Sequence, residues 1–318
     1  MEDRLNEYAK YLKETYKCKV YKLPVNLKTT CPNRDGNIGK GGCIFCGEEG
    51  AGFEMHDATM SIKEQLHRNQ AYIKKKYKAE KFIAYFQNYS NTYLPLTTFE
   101  KSVEQALLED IVGISIATRP DCINDEYVTY LKNLKAKTGL DISVELGLQT
   151  VNYRTLAIIN RGHSLAEFLD ASIKLKANGI QVCAHVILNL PWDDRADTIE
   201  TAKILSALKI DFVKIHSLYI LHNTELGRLY QKNEIQMITK EEYLERLEDF
   251  ISYLDPNIVI QRLFGRAPET HTLFSNWGTS WWKIKDEFMK RLAEKKLYQG
   301  MKFDYLNGKA INNHPKRR

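Results

Sequence analysis

The sequence predicts an α/β protein built as a closed or partial (β/α) barrel, on three observations. Short β-branched or aromatic runs alternate with capped helical patterns, the runs recur about every 30 residues as successive βα units do, and Gly139 and Gly179 stand where helices should stop ahead of a strand. The first runs are Val20–Leu27, Lys81–Gln87, Ile111–Arg119 and Asp141–Gln149. Ile180–Leu190, Phe212–Ile220 and a seventh at Asn257–Gly265 complete the series. Between them, Ser61 with Glu64, Thr97 with Glu100, Ser164 with Glu167 and Thr239 with Glu242 read as capping boxes, where a hydroxyl and a later carboxylate satisfy orphan backbone donors. The opening "MEDRLNEYAKYLKETYK" reads as an amphipathic helix, and the closing "NNHPKRR" as a loose tail.

Bulk properties narrow the classes. At 318 residues with 43% apolar content, the chain can bury a sizeable core. Forty-six Lys and Arg against 40 Asp and Glu give +6, a mild bias towards anionic partners. No apolar run approaches the ~18 residues of a membrane span and no secretory segment opens the chain, so no membrane partner and a cytoplasmic location are expected. In a reducing compartment, clustered cysteines point to metal or catalytic chemistry before disulfides.

The stretch "TTCPNRDGNIGKGGCIFCGEEGAG", Thr29 to Gly52, carries Cys31, Cys43 and Cys46 directly after the first strand, on the face where barrels of this kind gather their chemistry. Its glycines let the loop fold back so that three thiolates converge. A structural zinc site wants four protein ligands, and the nearest spare one is His56. Three thiolates instead suit a four-iron cluster with one iron open to an outside ligand. Cys183, inside an apolar strand, reads as a small buried hydrophobe, whereas Cys122, after "TRPD" on a catalytic-face loop, stays open between facing substrate and having no catalytic role. Glu145 is either structural, paired with a lysine such as Lys214, or catalytic. "YIKKKYKAEK", "MKRLAEKKLYQGMK" and "PKRR" interleave cations with tyrosines, and "NWGTSWWKIKDEF" adds three tryptophans. Such segments read as solvated faces and core, or as contacts to phosphates and unstacked bases.

The cysteine loop, with Phe45 just before its last cysteine, resembles the signature of the radical S-adenosylmethionine superfamily in a widened form. Six further stretches resemble, in the same order, the catalytic subunit of Elongator. They are "IATRPD" (116–121), "VELGLQT" (144–150), "NRGHS" (160–164), "CAHVILNLP" (183–191), "VKIHSLYILHNTEL" (213–226) and "IQRLFGRAP" (260–268). The resemblance implies a partial (β/α)6-type radical SAM barrel over residues 20–268, an N-terminal helical segment at 1–19 and a C-terminal extension at 269–318. About 50 residues follow the barrel, fewer than Elongator's acetyltransferase domain needs, so the expected group is the stand-alone, Elongator-like bacterial family of tRNA-modifying enzymes.

The resemblance further implies that Cys31, Cys43 and Cys46 hold one 4Fe-4S cluster whose open iron takes S-adenosyl-L-methionine, the source of a 5′-deoxyadenosyl radical. Phe45, Gln87, Gln149, Arg161 and His185 are the expected contacts to S-adenosyl-L-methionine. Ala117, Asn189 and Trp192 depart from residues common in related sequences. The implied substrate is the wobble uridine in the anticodon stem-loop of tRNA, with 5-carboxymethylaminomethyl(-2-thio)uridine converted to 5-aminomethyl(-2-thio)uridine. Glu145, Lys214 and Arg119 are the candidate catalytic residues, the two cations as partners for the substrate carboxylate. A reductase or flavodoxin as electron donor and a downstream tRNA methyltransferase are the expected protein partners. Two rival readings stand: a radical enzyme on a non-RNA substrate, and a non-catalytic zinc-bearing RNA-binding protein.

Overall fold

A computed structural model describes residues 4–47, 50, 55–268 and 271–312. The first half of the chain runs α1 (Tyr8–Tyr16), β1 (Val20–Val25), α2 (Ile62–Tyr77), β2 (Lys81–Phe86), α3 (Leu96–Glu104), β3 (Ile111–Thr118), α4 (Asp125–Thr138) and β4 (Asp141–Gln149). It continues with α5 (Tyr153–Ile158), α6 (Leu165–Ala177), β5 (Gln181–Ile187), α7 (Arg195–Ala207), β6 (Phe212–His216), β7 (Ile220–Leu221) and α8 (Glu225–Gln231). The last elements are α9 (Lys240–Tyr253), β8 (Val259–Arg262), β9 (Thr272–Phe274), α10 (Trp281–Glu294) and α11 (Lys309–Asn312).

Seven strands form one parallel sheet in the order β1-β2-β3-β4-β5-β6-β8. The sheet is curled into a partial barrel: Lys22 Nζ of β1, at one edge, donates to Gln261 Oε1 of β8, at the other, at 3.1 Å. The alternation along each strand explains the layers. Phe82, Ala84, Phe86, Ile114, Ile116, Val144, Leu146, Val182, Val213 and Ile215 belong to the main core, which also takes in Leu66, Phe99, Leu131, Phe168, Leu205, Leu247 and Phe250 of the surrounding helices. Each Val, Leu, Ile or Phe among them contributes about 1.5–3 kcal/mol by leaving water. The alternate positions, Lys22, Tyr85, Ser115, Glu145, His185 and Lys214, meet on the inner side through the hydrogen bonds described below.

The helix α1 closes one end of this lumen. Its Tyr8 and Tyr11 pack on Cys183, Phe212 and Val259, and the backbone before it pairs with β8 through Ile260 N–H to Asn6 O at 2.8 Å. At the other flank, α10 buries Ile284, Phe288 and Leu292 completely, and its Arg291 bonds Glu248 of α9 at 2.7 Å.

Three of the four expected caps form. Ser61 and Thr239 accept from the third residue on, and Ser164 makes the full box with Glu167. Thr97 does not, because α3 begins at Leu96 behind Pro95, whose fixed φ starts the helix without a side-chain cap. A further box, Asp194 with Asp197, opens α7. The run read as Phe212–Ile220 also breaks after His216. Ile220 and Leu221 leave the main sheet and pair antiparallel with β9. The tail from 313 onwards, including Pro315–Arg318, lies outside the described residues.

Candidate active site

The loop after β1 is fixed by backbone bonds that bring its cysteines under the ends of β4 and α5. Cys46 N–H bonds Cys43 O at 2.9 Å, Ile44 N–H bonds Ile159 O at 3.1 Å and Gly42 N–H bonds Asn33 O at 2.8 Å. Asn160 Nδ2 donates to Gly42 O at 2.8 Å, and Asn33 Nδ2 returns a bond to Asn160 O at 2.6 Å. Gly42 has φ +86°, and a Cβ there would sit 2.9 Å from the Arg34 side chain, so the tight turn requires glycine. Arg34 Nη2 in turn donates to Cys46 O at 2.7 Å.

Polar groups converge on the thiols. Arg161 Nη1 lies 3.5 Å from Cys43 Sγ and Asn33 Nδ2 3.8 Å from it. Burial and the neighbouring Cys43 raise the Cys46 pKa, and Arg34 pulls it back. Nearby, Asn33 Oδ1, Arg34 Nε and Arg161 Nε are buried with no hydrogen-bond partner, unusual for native interiors and expected where a bound group completes the site. One tetrahedral ion at ~2.3 Å from each sulfur would hold the sulfurs within roughly 4 Å of one another. Among the described residues, the one set of metal-ligand-type side chains whose atoms all lie within 4.8 Å is Glu145, Cys183 and His185, so at least one pair of the three loop thiols lies farther apart than that. His56 is engaged elsewhere, its Nε2 3.1 Å from Asn69 Oδ1. Three thiols at this spacing, with unpaired buried donors beside them, fit a cluster with an open position better than a closed zinc site.

The strand ends supply the next layer. Gln149 closes β4 at φ +76°, after a register shift against β5. Arg161 Nη2 donates to Gly147 O at 2.7 Å, and a Cβ on Gly147 would come within 2.5 Å of that nitrogen and 2.9 Å of Gln149 Nε2. Glycine there is what lets Arg161 lie across the strand towards Cys43. Gln87 sits half-buried just past β2, its N–H bonded to Val25 O at 3.2 Å. Arg119, 2% exposed at the end of β3, has its fork filled by Asp121 at 2.8 and 2.7 Å, while its Nη1 holds Arg161 O at 2.8 Å. Phe45 packs with Ile44 and Trp192 on a second apolar cluster built around Leu190, Leu218 and Ile220. Asn189, fully buried, locks that region by accepting from Leu218 N–H at 2.6 Å.

Below this layer lies a buried charge network. Glu145, with 0% exposure, bonds Lys22, Lys214 at 2.6 Å, His185 Nε2 at 2.7 Å and Ser115 Oγ at 2.9 Å. Burial alone would raise the Glu145 pKa, but Lys214, Lys22 and His185 outweigh it and hold the carboxylate well below its usual range. Burial, with Lys214 beside it, brings His185 down to about 4, so its imidazole is neutral at pH 7. Lys214 is brought down to about 8 by burial against the pull of Glu145, and it also donates to Tyr85 Oη at 3.0 Å. His216 packs on His185 with ring centroids 5.0 Å apart and the rings tilted by 45°, and Arg262 Nη2 contacts its Nδ1 at 2.6 Å. Cys183 is fully buried among these residues, and burial raises its thiol far above the usual value. Cys122 lies in a short turn away from the network, pushed up to about 12 by burial.

Thus the structure gathers Cys31, Cys43, Cys46 and Arg161 at one level, and Glu145, His185 and Lys214 at another. Sequence reasoning passed over Lys22, Ser115, His216 and Arg262. The signal for Lys22 was present, as a lone charge in the apolar strand "VYKLPV".

The aromatic and basic segments divide. Trp277 is core, packed on Tyr243 at 4.9 Å with its Nε1 bonded to Ile238 O, whereas Trp281 and Trp282 are exposed. Of the cations in 289–302, Arg291 and Lys295 are engaged by Glu241 and Glu248. In 72–81, Lys74 and Lys81 share Asp110 and Lys76 bonds Tyr72, while Lys75 makes no ion pair among the described residues. No described helix is long and apolar enough to cross a membrane.

Comparison with known proteins agrees with this architecture. Residues 29–205 match the Radical SAM superfamily and residues 210–294 the Radical_SAM C-terminal domain. The chain is 36% identical over 306 residues to the uncharacterized protein YtqA of Bacillus subtilis, covering 96% of this chain and 94% of that one. Over 137 residues it is 28% identical to the tRNA uridine(34) acetyltransferase of Methanocaldococcus jannaschii, covering 42% of this chain and 24% of that one. Its fold is similar to that of the solved Elp3 of Methanocaldococcus infernus, with TM-score 0.66, 18% identity and coverage of 89% of this chain and 64% of that one. A seven-stranded partial barrel that carries three cysteines after its first strand, and matches this family over more than half its length, belongs to the radical SAM superfamily and is a radical SAM enzyme related to YtqA.

Proposed function

We propose that the enzyme modifies the wobble uridine of tRNA, converting 5-carboxymethylaminomethyl(-2-thio)uridine to 5-aminomethyl(-2-thio)uridine in the cytoplasm. The observation that carries the reading is the stacking of two layers: three thiols beside Arg161, above a lumen whose lysines outnumber its one buried carboxylate, Glu145. The likeness to a tRNA uridine(34) acetyltransferase supports tRNA as the substrate class.

In this reading Cys31, Cys43 and Cys46 hold a 4Fe-4S cluster, and Phe45, Gln87, Gln149, Arg161 and His185 contact S-adenosyl-L-methionine. When bound, these groups supply a 5′-deoxyadenosyl radical and a path for one-electron oxidation. Arg161 lies against Cys43 Sγ, and its buried Nε lacks a partner, which suits a carboxylate. Arg119, its own fork filled by Asp121, positions the Arg161 loop. Glu145 and Lys214 fix the charge of the lumen wall.

On the substrate, a hydrogen atom leaves the carbon between nitrogen and carboxylate, and an electron and the N–H proton follow. Water adds to the resulting C=N bond, and C–N cleavage releases glyoxylate and leaves the aminomethyl group. A reductase or flavodoxin supplies the starting electron, and a tRNA methyltransferase takes the product. Mass spectrometry of tRNA nucleosides from a strain lacking the gene tests this. Accumulated carboxymethylaminomethyl uridine with loss of aminomethyl-derived nucleosides is expected, and an unchanged nucleoside pattern contradicts it.

A further inference from the structure

Between the sheet's two edge strands, β1 and β8, a cavity of about 1070 Å³ opens sideways into the lumen. Six lysines and two arginines line it against one carboxylate, Glu7, which Lys285 already pairs at 2.7 Å. At its inner wall stand Lys22, Lys214, Gln261 and Arg262. Lys22 and Lys214 share the single carboxylate of Glu145. Arg262 makes no ion pair among the described residues, and its hydrogen-bond partner there is the imidazole of His216, at 2.6 Å. The wall therefore carries more cation than anion, and Arg262, exposed towards the cavity, is its cation without a carboxylate partner among the described residues.

The backbone shows why two neighbouring residues reach this wall. In the β6–β8 pairing, Val213 lies opposite Ile260 but Lys214 lies opposite Arg262, so β8 carries one extra residue. A bulge of this kind re-aims side chains. Gln261 meets Lys22 through Oε1 at 3.1 Å, and Arg262, level with Lys214, meets His216. Because the Lys22 bond fixes the amide's orientation, Gln261 Nε2 is a donor, and it is buried with no partner. An unpartnered amide donor next to a guanidinium that no carboxylate holds is a recognition set for a planar oxyanion. Neither Lys214, held by Glu145, nor Arg119, held by Asp121, offers an open fork.

We infer that the bulged pair Gln261 and Arg262 forms a carboxylate-binding subsite, entered from the side of the barrel, which holds the carboxylate of the substrate while His216 orients the guanidinium. Where the wobble-uridine reading holds, on which this assignment of the ligand rests, the carboxylate is that of the carboxymethylaminomethyl group.

Three fluorinated probes titrated into the full chain by fluorine NMR test the subsite without tRNA: N-(4-fluorobenzyl)glycine, its carboxylate-free analogue 4-fluorobenzyl-methylamine, and 4-fluorobenzyl phosphate. The wild type should bind the glycine probe roughly tenfold or more tighter than the amine, as expected for a charge-assisted fork, and no more weakly than the phosphate. Arg262→Gln should abolish that preference, Arg262→Lys should keep part of it, and Lys132→Gln, outside the cavity, should leave it intact. Circular dichroism confirms that each variant folds, and the conservative Arg262→Lys keeps the test decisive if Arg262→Gln does not. Equal binding of glycine and amine probes, or an unchanged preference in Arg262→Gln, overturns the proposal. A phosphate probe bound tenfold more tightly than the glycine probe assigns the cavity to a phosphate and overturns the carboxylate. If the preference is present and depends on Arg262, but tRNA bearing carboxymethylaminomethyl uridine is not turned over, the subsite stands and the wobble-uridine reading falls.

Discussion

Glu145 of β4 and Lys214 of β6 meet at 2.6 Å across the intervening β5, and the same carboxylate also holds Lys22, so one anion at 0% exposure balances two ammonium groups. Glu145→Gln should leave both lysines uncompensated and cost about 3–5 kcal/mol in urea unfolding. The sign of its pH dependence follows from the lowered Glu145 pKa. A carboxylate depressed in the folded state stabilises fully above its unfolded value, about 4.3, and the contribution is lost as pH falls through the folded value. The gap between wild type and Glu145→Gln should therefore be constant from about pH 6 to 7 and shrink in acid. A gap that widens below pH 4 would reject the pair as the source.

Cys31→Ala, Cys43→Ala and Cys46→Ala should each lose the iron and the brown colour of anaerobically prepared protein, while Cys183→Ala, fully buried at the foot of the network, should keep both. Iron assay with absorbance spectra reads this out. A colourless wild type with one zinc per chain would return the loop to a structural role.

Gly147→Ala tests the approach of Arg161 to the thiols. The new Cβ would lie 2.5 Å from Arg161 Nη2, so the guanidinium must shift. Overpacking of this kind costs about 1–3 kcal/mol. Binding of S-adenosyl-L-methionine, measured by equilibrium dialysis, should weaken at least tenfold while iron content is retained. Unchanged binding would remove Arg161 from the cofactor site.

Much of the barrel was legible because hydrophobic alternation and capping are local. Seven parallel strands lie in the order read, and Ser61, Ser164 and Thr239 start the helices expected of them. What the sequence hid depends on contacts between distant segments. Thr97 has the residue types of a cap, but Pro95 two residues earlier starts the helix instead. The end of the run after Phe212 leaves the sheet because β9, more than 50 residues on, offers Ile220 and Leu221 another partner. The Cys31, Cys43 and Cys46 spacing was visible as a motif. The pairing of Glu145 with Lys214 was one of the readings the sequence offered, but the part of Lys22 was not, since only the curl of the sheet brings β1 to them. Arg262 was hidden for a further reason: its direction is set by a bulge, which periodicity cannot show.

The cations of α2 should track phosphates. Changing Lys74, Lys75 and Lys76 together to glutamate should weaken tRNA binding and flatten its dependence on salt, by up to about three in the log–log slope. Cleavage of S-adenosyl-L-methionine in the absence of tRNA should be unaffected, since these lysines lie on the surface at the end of α2. Affinity that ignores salt in the wild type would favour a small-molecule substrate.

Transfer of deuterium tests the central claim most directly. tRNA carrying deuterium on the carbon between nitrogen and carboxylate of its carboxymethylaminomethyl uridine is incubated with reduced enzyme and S-adenosyl-L-methionine, and 5′-deoxyadenosine is analysed by mass spectrometry. The account predicts deuterated 5′-deoxyadenosine, with glyoxylate and aminomethyl uridine rising in step. Deuterium-free 5′-deoxyadenosine formed at the same rate with or without tRNA would contradict it.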